Sequence, residues 1–291
     1  MLEHELEGFL NPRTGSLVEL LRSAIWYNSM SFSGVSNKTP RAVVTRWQGS
    51  DNEDRYRYHM QYDHTRSQME KLGWVDHDIQ YNLNSWGFRG HDSREFDTVS
   101  GASLITLGCS FTYGTGLDQQ SIWPQHLADA LGLELINAAT PGHGLDLGVL
   151  WLLLQGHTIT NPRALVILEP PPYRLSWINR YDKPMEDQVV GITLLSELEE
   201  LTNHTDSITL QKLVSNLDIN STFAYYRNAQ LASLWAAQKN IPCVYLSARD
   251  VNFATDKTDL ARDLSHSGRA WHRDFATLAH NKLKQLTSSA V

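Results

Sequence analysis

The chain has 291 residues, 41% hydrophobic and 20% charged, with a formal net charge of −7. That length and balance suit one large α/β domain, or a domain with an appendage, around a real buried core. An acidic chain without a basic cluster argues against phosphate-backbone binding, so no nucleic-acid partner is expected.

The start, Met1-Leu-Glu-His-Glu, is acidic and lacks the positive end and apolar run of a secretory signal. Residues 1–79 are polar, weakly periodic and rich in Tyr, Trp, His and Arg. They read as an N-terminal extension or small subdomain packing on the core. Within them Leu17 to Ile25 has helical spacing, and Arg55 to Tyr62 alternates at period two, which predicts a strand. From residue 102 strands and helices alternate. Ala102–Leu107 is a continuous apolar run ending at Gly108, as a buried parallel strand should be. Ser121–Leu131 predicts a helix with Pro124 in its first turn. Glu134–Ala138 predicts a second strand and Leu145–Gln155 a strongly apolar helix. Its apolar run, Val149–Leu154, is too short to span a membrane, so the chain is expected to be soluble, cytoplasmic or released by lysis. Ala164–Leu168 predicts a third strand, stopped by Pro170-Pro171-Pro172. A helical insert is expected near 185–222, continuing to 240, then a strand at Pro242–Ser247 and a helix from Gly268 to Leu286. Strands separated by helices predict a three-layer α/β/α fold on a central parallel sheet. Ligands of such sheets sit at the carboxyl ends of the strands, which selects the loops 108–116, 139–146 and 169–182.

The first of these loops is Gly108-Cys-Ser-Phe-Thr-Tyr-Gly114. Ser110 lands where the next helix begins, among free backbone N–H groups that can hold an oxyanion. The same position suits a plain helix cap. The loop lacks the lysine of a phosphate-binding loop, and Thr112 stands where the GxSxG elbow needs glycine. Cys109 is a competing nucleophile, although it immediately precedes the serine and is expected to point the other way. Neither Cys109 nor Cys243 belongs to a CxxC pair, and no HExxH or clustered Cys/His set occurs, so no metal and no cofactor are expected. Near the C-terminus, Asp263 and His266 lie three residues apart just before the last helix, a spacing that lets the carboxylate orient the imidazole. With twelve histidines in the chain, such a pair also arises by chance. His272 and His280 are expected on the surface of the last helix.

Four stretches, in order, resemble the SGNH (GDSL-like) hydrolases. Leu107–Gly116 is similar to the nucleophile block GDSxTxG, with Cys109 in place of aspartate. Ile136–Gly144 resembles the second block, whose glycine, here Gly142, lines the oxyanion hole. Asp263-x-x-His266 resembles the final block. Asn84-Ser-Trp-Gly-Phe-Arg-Gly90 is similar to an NSxGFRG segment found upstream in many bacterial members. The resemblance covers the frame of residues 82–280. It implies a flavodoxin-like SGNH domain over 80–291 and an esterase with Ser110 as nucleophile, His266 as base and Asp263 as its orienting acid. The oxyanion would meet the N–H groups of Ser110 and Gly142. One departure matters: the third block supplies an asparagine, but here the strand ends Leu168-Glu-Pro-Pro-Pro-Tyr-Arg174. Arg174, Tyr173 or a residue of the Asn84–Arg89 segment is expected to substitute. Asn84, Arg89, Cys109 and Glu169 are the expected pocket residues.

The implied substrate is a small acyl ester, with an acetylated carbohydrate as one candidate, and the oligomeric state is open. Acyl transfer uses the same residues. The missing asparagine and the nine Trp and eleven Tyr motivate a second reading, a non-catalytic carbohydrate binder or structural protein on this scaffold. A third is nucleotide binding, since Gly142-His-Gly-Leu-Asp-Leu-Gly148 follows a strand and opens a helix, with Glu169 ending the next strand. That reading leaves Ser110 and the Asp263–His266 pair unexplained.

Overall fold

The computed structural model describes residues 17–30, 41–90, 94–171, 174–178, 190–193, 207–247, 250 and 258–288. The N-terminal part holds α1 (Leu17–Met30), β1 (Val43–Thr45), α2 (Glu53–Gln61), α3 (Asp63–Lys71), β2 (Tyr81–Leu83) and β3 (Arg89–Gly90). Strands β1, β2 and β3 pair antiparallel in that order. Then follow β4 (Ser103–Leu107), α4 (Ser110–Tyr113), α5 (Trp123–Leu131), β5 (Glu134–Asn137), α6 (Asp146–Gln155) and β6 (Pro162–Glu169). The short strands β7 (Leu175–Ile178) and β8 (Val190–Thr193) pair with each other, and α7 (Ser207–Gln238), β9 (Cys243–Ser247) and α8 (Arg269–Ser288) follow.

The central sheet is parallel, in the order β5-β4-β6-β9. Its strands are buried on both faces, and successive residues divide between two cores. Ile105, Leu107, Ile136, Leu165 and Ile167 face Val149, Trp151 and Leu152 of α6, Trp235 of α7 and Leu21 and Ile25 of α1. Leu104, Val166, Leu168, Val244 and Leu246 face Trp123 and Leu127 of α5 and Trp271, Phe275 and Leu283 of α8. Helices therefore cover both faces, and the layering is three-layer α/β/α as the alternation of elements predicts. A third cluster lies outside the sheet: Trp26, Met69, Trp74, Ile79, Tyr81 and Leu83 pack on Tyr113, Leu117, Ala139 and Ala261. This cluster fastens the N-terminal part to the loops leaving β4 and β5 and to the loop before α8.

Three sequence expectations are corrected. Residues 55–62 are not a strand. Asn52 caps α2, its Oδ1 accepting from Arg55 N at 2.9 Å, and Glu53 and Asp54 favour the positive end of the helix. The alternation of Arg and Tyr has no buried face to serve, since Tyr58 and Tyr62 are exposed and His59 is the buried residue of α2. The expected helical insert is interrupted: Val190–Thr193 is a strand, built on the β-branched Val190 and Ile192, and the helix begins at Ser207. Residues 185–189 and 194–206 lie outside the described residues. His272 is fully buried on α8, where its Nδ1 accepts from the Trp123 amide at 2.9 Å. Among the described residues, no helix is long and apolar enough to cross a membrane.

Candidate active site

The loop after β4 turns at once into the single-turn helix α4, so that Cys109 stands at its N-cap and Ser110 is its first residue. The expected cap position thus belongs to Cys109, whose side chain makes no capping bond and is buried. The Ser110 amide sits at a helix start, where backbone N–H groups have no partner within the helix. Buried side chains hold α4 and the loop that follows it. Asn137, at the end of β5, donates Nδ2–H to Thr112 O at 3.0 Å. Arg89 donates from Nη1 to Gly114 O and from Nη2 to Leu117 O, each at 2.6 Å, with its guanidinium 4.4 Å above the Tyr81 ring. Both terminal nitrogens of Arg89 are therefore bound to the backbone of the loop that carries Ser110. Asn84 is likewise structural: its Oδ1 accepts from the amides of Trp86 and Phe88 at 3.0 and 3.1 Å and shapes the turn between β2 and β3.

His266 reaches Ser110 from the loop before α8. The hydroxyl of Ser110 donates to Nε2 at 2.7 Å, and Nδ1 lies 2.6 Å from Asp263 Oδ2. With the imidazole proton on Nδ1, the hydroxyl, ring and carboxylate form one continuous chain. Phe111 packs against the imidazole, with ring centroids 4.9 Å apart. The Asp263 side chain is 0% exposed and that of His266 15% exposed, so the acid end of the chain is closed to solvent. Burial alone would push the Asp263 carboxyl up. The His266 charge and hydrogen bonds from His266, Ser50 and Ser265 outweigh it, holding the acid well below the usual carboxylate range.

The loop that carries Asp263 and His266 is gripped from the N-terminal part. Arg262 makes a bidentate pair with Asp51, Nε to Oδ1 at 2.8 Å and Nη2 to Oδ2 at 2.7 Å, and both side chains are almost wholly buried. The same guanidinium donates to the carbonyls of His77 and Arg46 and lies 4.4 Å above the Trp47 ring. Tyr81 donates to Asp51 at 2.6 Å and accepts from the Gly116 amide at 2.8 Å, and Arg262 N donates to Gly116 O at 3.0 Å. His59 Nε2 stands 3.2 Å from the Asp263 carbonyl. Ser50, Asp51, His59, Tyr81 and Arg262 carry no signal in the sequence. Their partners lie tens to hundreds of residues away, and no local spacing announces them.

Gly142 follows β5 with φ +78°, in a loop tied to the nucleophile loop by Thr140 N–H donating to Gly108 O at 3.1 Å. His143 beside it is buried, and burial, with the nearby Arg174 charge, pushes its imidazole down to about 3. Arg174 approaches the same loop: its carbonyl is 2.6 Å from where a Cβ of Gly144 would lie, a packing that only glycine permits. Nε and Nη1 of Arg174 are buried without a hydrogen-bond partner among the described residues. Tyr173 lies outside the described residues. Glu169 ends β6 opposite Ser247; burial, with the Glu169 charge nearby, pushes the Tyr225 hydroxyl on α7 up.

Sheet order and helix layers define an α/β protein built around a parallel sheet, with a serine at the exit of the strand β4. No family model and no curated protein matches the chain. Solved structures do. A protein assigned to the G-D-S-L lipolytic family from Desulfitobacterium hafniense DCB-2 is 15% identical over 62% of this chain and 98% of its own, with a TM-score of 0.31. A carbohydrate esterase, whose active site is described as having divergent catalytic and non-catalytic binding functions, is 15% identical over 63% of this chain and 65% of its own, with a TM-score of 0.31. A protein described as an acylhydrolase from Bacteroides fragilis NCTC 9343 is 11% identical over 63% of this chain and 87% of its own, with a TM-score of 0.28. Likeness at this level carries nothing about chemistry, and the fold stands on the topology given above.

Proposed function

We propose that the chain is a serine ester hydrolase of SGNH type, in which Ser110, His266 and Asp263 act as nucleophile, base and orienting acid. The observation that carries this reading is the 2.7 Å contact between Ser110 Oγ and His266 Nε2, with Nδ1 held by a buried carboxylate. Ser110 Oγ attacks the acyl carbonyl as its proton passes to Nε2, and the carbonyl electron pair moves onto oxygen. Asp263 keeps the second ring proton on Nδ1 and stabilises the imidazolium. The tetrahedral intermediate collapses, the C–O bond to the alcohol breaks, and the imidazolium gives its proton to that oxygen. Water deprotonated by His266 then attacks the acyl-serine, the bond from the acyl carbon to Ser110 Oγ breaks, and the imidazolium returns its proton to Oγ as the acid leaves.

The oxyanion would accept from the amides of Ser110 and Gly142. Arg174 takes the place of the third-block asparagine in this reading. Its two buried N–H donors without partners would be costly unless a substrate or intermediate filled them. The substrate is a small acyl ester, an acetylated carbohydrate in the narrowest form of the proposal.

A series of p-nitrophenyl esters of increasing acyl length tests the reading. Wild type should hydrolyse the short esters fastest. Ser110→Ala should lose activity, Cys109→Ala should keep it, and Arg174→Ala should lower kcat by about 10²–10³, the cost of removing one oxyanion donor. Full activity in Ser110→Ala would end the proposal, and full activity in Arg174→Ala would remove Arg174 from it.

A further inference from the structure

We infer that Ser50, from the N-terminal part, is a positioning residue of the catalytic set, which holds the Asp263 carboxylate in register with His266. The inference rests on the reading of Ser110, His266 and Asp263 given above. Ser50 Oγ donates to Asp263 Oδ2 at 2.6 Å and lies 3.5 Å from His266 Nδ1, so its hydroxyl stands at the junction of acid and base.

The distribution of donors around Asp263 gives Ser50 its weight. Oδ1 accepts the amides of Ser265 and His266, both at 3.1 Å. Oδ2 accepts His266 Nδ1 at 2.6 Å, Ser265 Oγ at 2.7 Å and Ser50 Oγ at 2.6 Å. A carboxylate without exposure needs such filling of its lone pairs. Ser265 and His266 belong to the same turn as Asp263 and move with it. Among the described residues, Ser50 is the one donor to this carboxylate from outside that turn. It therefore ties the orientation of the carboxylate to the rest of the molecule.

The position of Ser50 is built. Gln48 and Asp51 exchange backbone hydrogen bonds of 2.7 and 3.1 Å around a two-residue turn, and Gly49 takes the left-handed conformation, φ +60°, that this turn requires. Asn52 closes the turn by donating to Gly49 O at 3.2 Å, and the Asp51–Arg262 pair clamps its far end. The tip also meets the other two loops of the site: a Cβ at Gly49 would lie 3.9 Å from Thr115 Cγ2 and 4.0 Å from Pro141 Cβ. The groups facing His266 are Ser110 and the Phe111 ring from α4, Asp263 from its own loop, Ser50 from the turn and the buried His272 from α8. Asp51, paired with Arg262, and His59, beside Arg55 on α2, act on it through Asp263.

Loss of the Ser50 donor leaves more of the carboxylate charge to the imidazolium. The acid limb of the pH profile should then move to higher pH, while substrate contacts are untouched. Ser50→Ala should lower kcat on p-nitrophenyl acetate by roughly 10-fold, the scale of one charge-assisted hydrogen bond, with KM within about twofold of wild type. Ser50→Thr, which keeps the hydroxyl, should restore both kcat and the profile. A pH titration of the His266 ring by NMR reads the same upward shift without any substrate. An unchanged kcat and an unmoved titration in Ser50→Ala, beside an active wild type and an inactive Ser110→Ala, would overturn the role of Ser50 alone. An inactive wild type, or an active Ser110→Ala, would overturn the catalytic set itself.

Discussion

The parallel sheet and the antiparallel sheet β1–β3 contribute to one site in different ways. In the proposed function the parallel sheet carries the chemistry: Ser110 leaves β4, Gly142 leaves β5, and Asp263 and His266 precede the helix α8 that packs on β9 and β4. The N-terminal part carries none of these groups but holds them. Asp51 grips Arg262, Ser50 grips Asp263, His59 meets the Asp263 carbonyl, and Tyr81 and Arg89 fasten the backbone of the nucleophile loop. The proposed reacting groups stand on loops that leave the regular layer. Their orientation comes from polar side chains of the N-terminal part whose interactions are long in sequence. On this view the N-terminal residues are part of the active site rather than an ornament on it.

The largest effect that could break this comparison is on stability. Asp51→Ala leaves the buried guanidinium of Arg262 unpaired, and should destabilise the fold by about 3–5 kcal/mol in urea unfolding. Asp51→Leu combined with Arg262→Met should recover most of that loss, because two apolar side chains leave no stranded charge. A loss below about 0.5 kcal/mol in Asp51→Ala would mean that the N-terminal part rests on the sheet without holding it.

A smaller effect sharpens the other half of the comparison. His143, in the loop leaving β5, has a folded-state value near 3, below the ordinary value of 6.5. The unfolded chain therefore takes up a proton that the folded chain refuses. The stability from neutral His143 is fully present above about pH 6.5, and falls by roughly 1.4 kcal/mol per pH unit as pH drops toward 3. His143→Gln should flatten the pH dependence of unfolding free energy between pH 6 and 4 by about that slope. An unchanged slope would mean that His143 is not held neutral by burial beside Arg174.

The layering and most of its elements were legible in the sequence because strongly apolar strands such as Ser103–Leu107 and Pro162–Glu169 leave a local trace. Ser110, Asp263 and His266 stood out because strand exits and a three-residue spacing are local too. What failed was also local in cause. Arg55 to Tyr62 alternates in sequence, but the cap at Asn52 and the acidic first turn decide for helix. The holding residues were illegible for a different reason. Ser50 and Asp263 are 213 positions apart, and the bond between them depends on how two parts of the fold pack. Arg89 lies inside the Asn84–Gly90 stretch, but its donors end on the carbonyls of Tyr113, Gly114 and Leu117, at sequence separations of 24, 25 and 28 that no local pattern encodes. The strand end Glu169–Pro171 holds no asparagine, the residue that the resemblance would place there. The approach of Arg174 to Gly144 could not be read before the chain folded.

The decisive measurement is covalent labelling with a fluorophosphonate, followed by mass mapping of the adduct. A single phosphonyl group should appear on Ser110. It should be absent from Ser110→Ala and form much more slowly in His266→Ala, where no imidazole takes up the hydroxyl proton. An unlabelled wild-type protein, or an adduct that persists in Ser110→Ala, would contradict the assignment of Ser110 as an activated nucleophile.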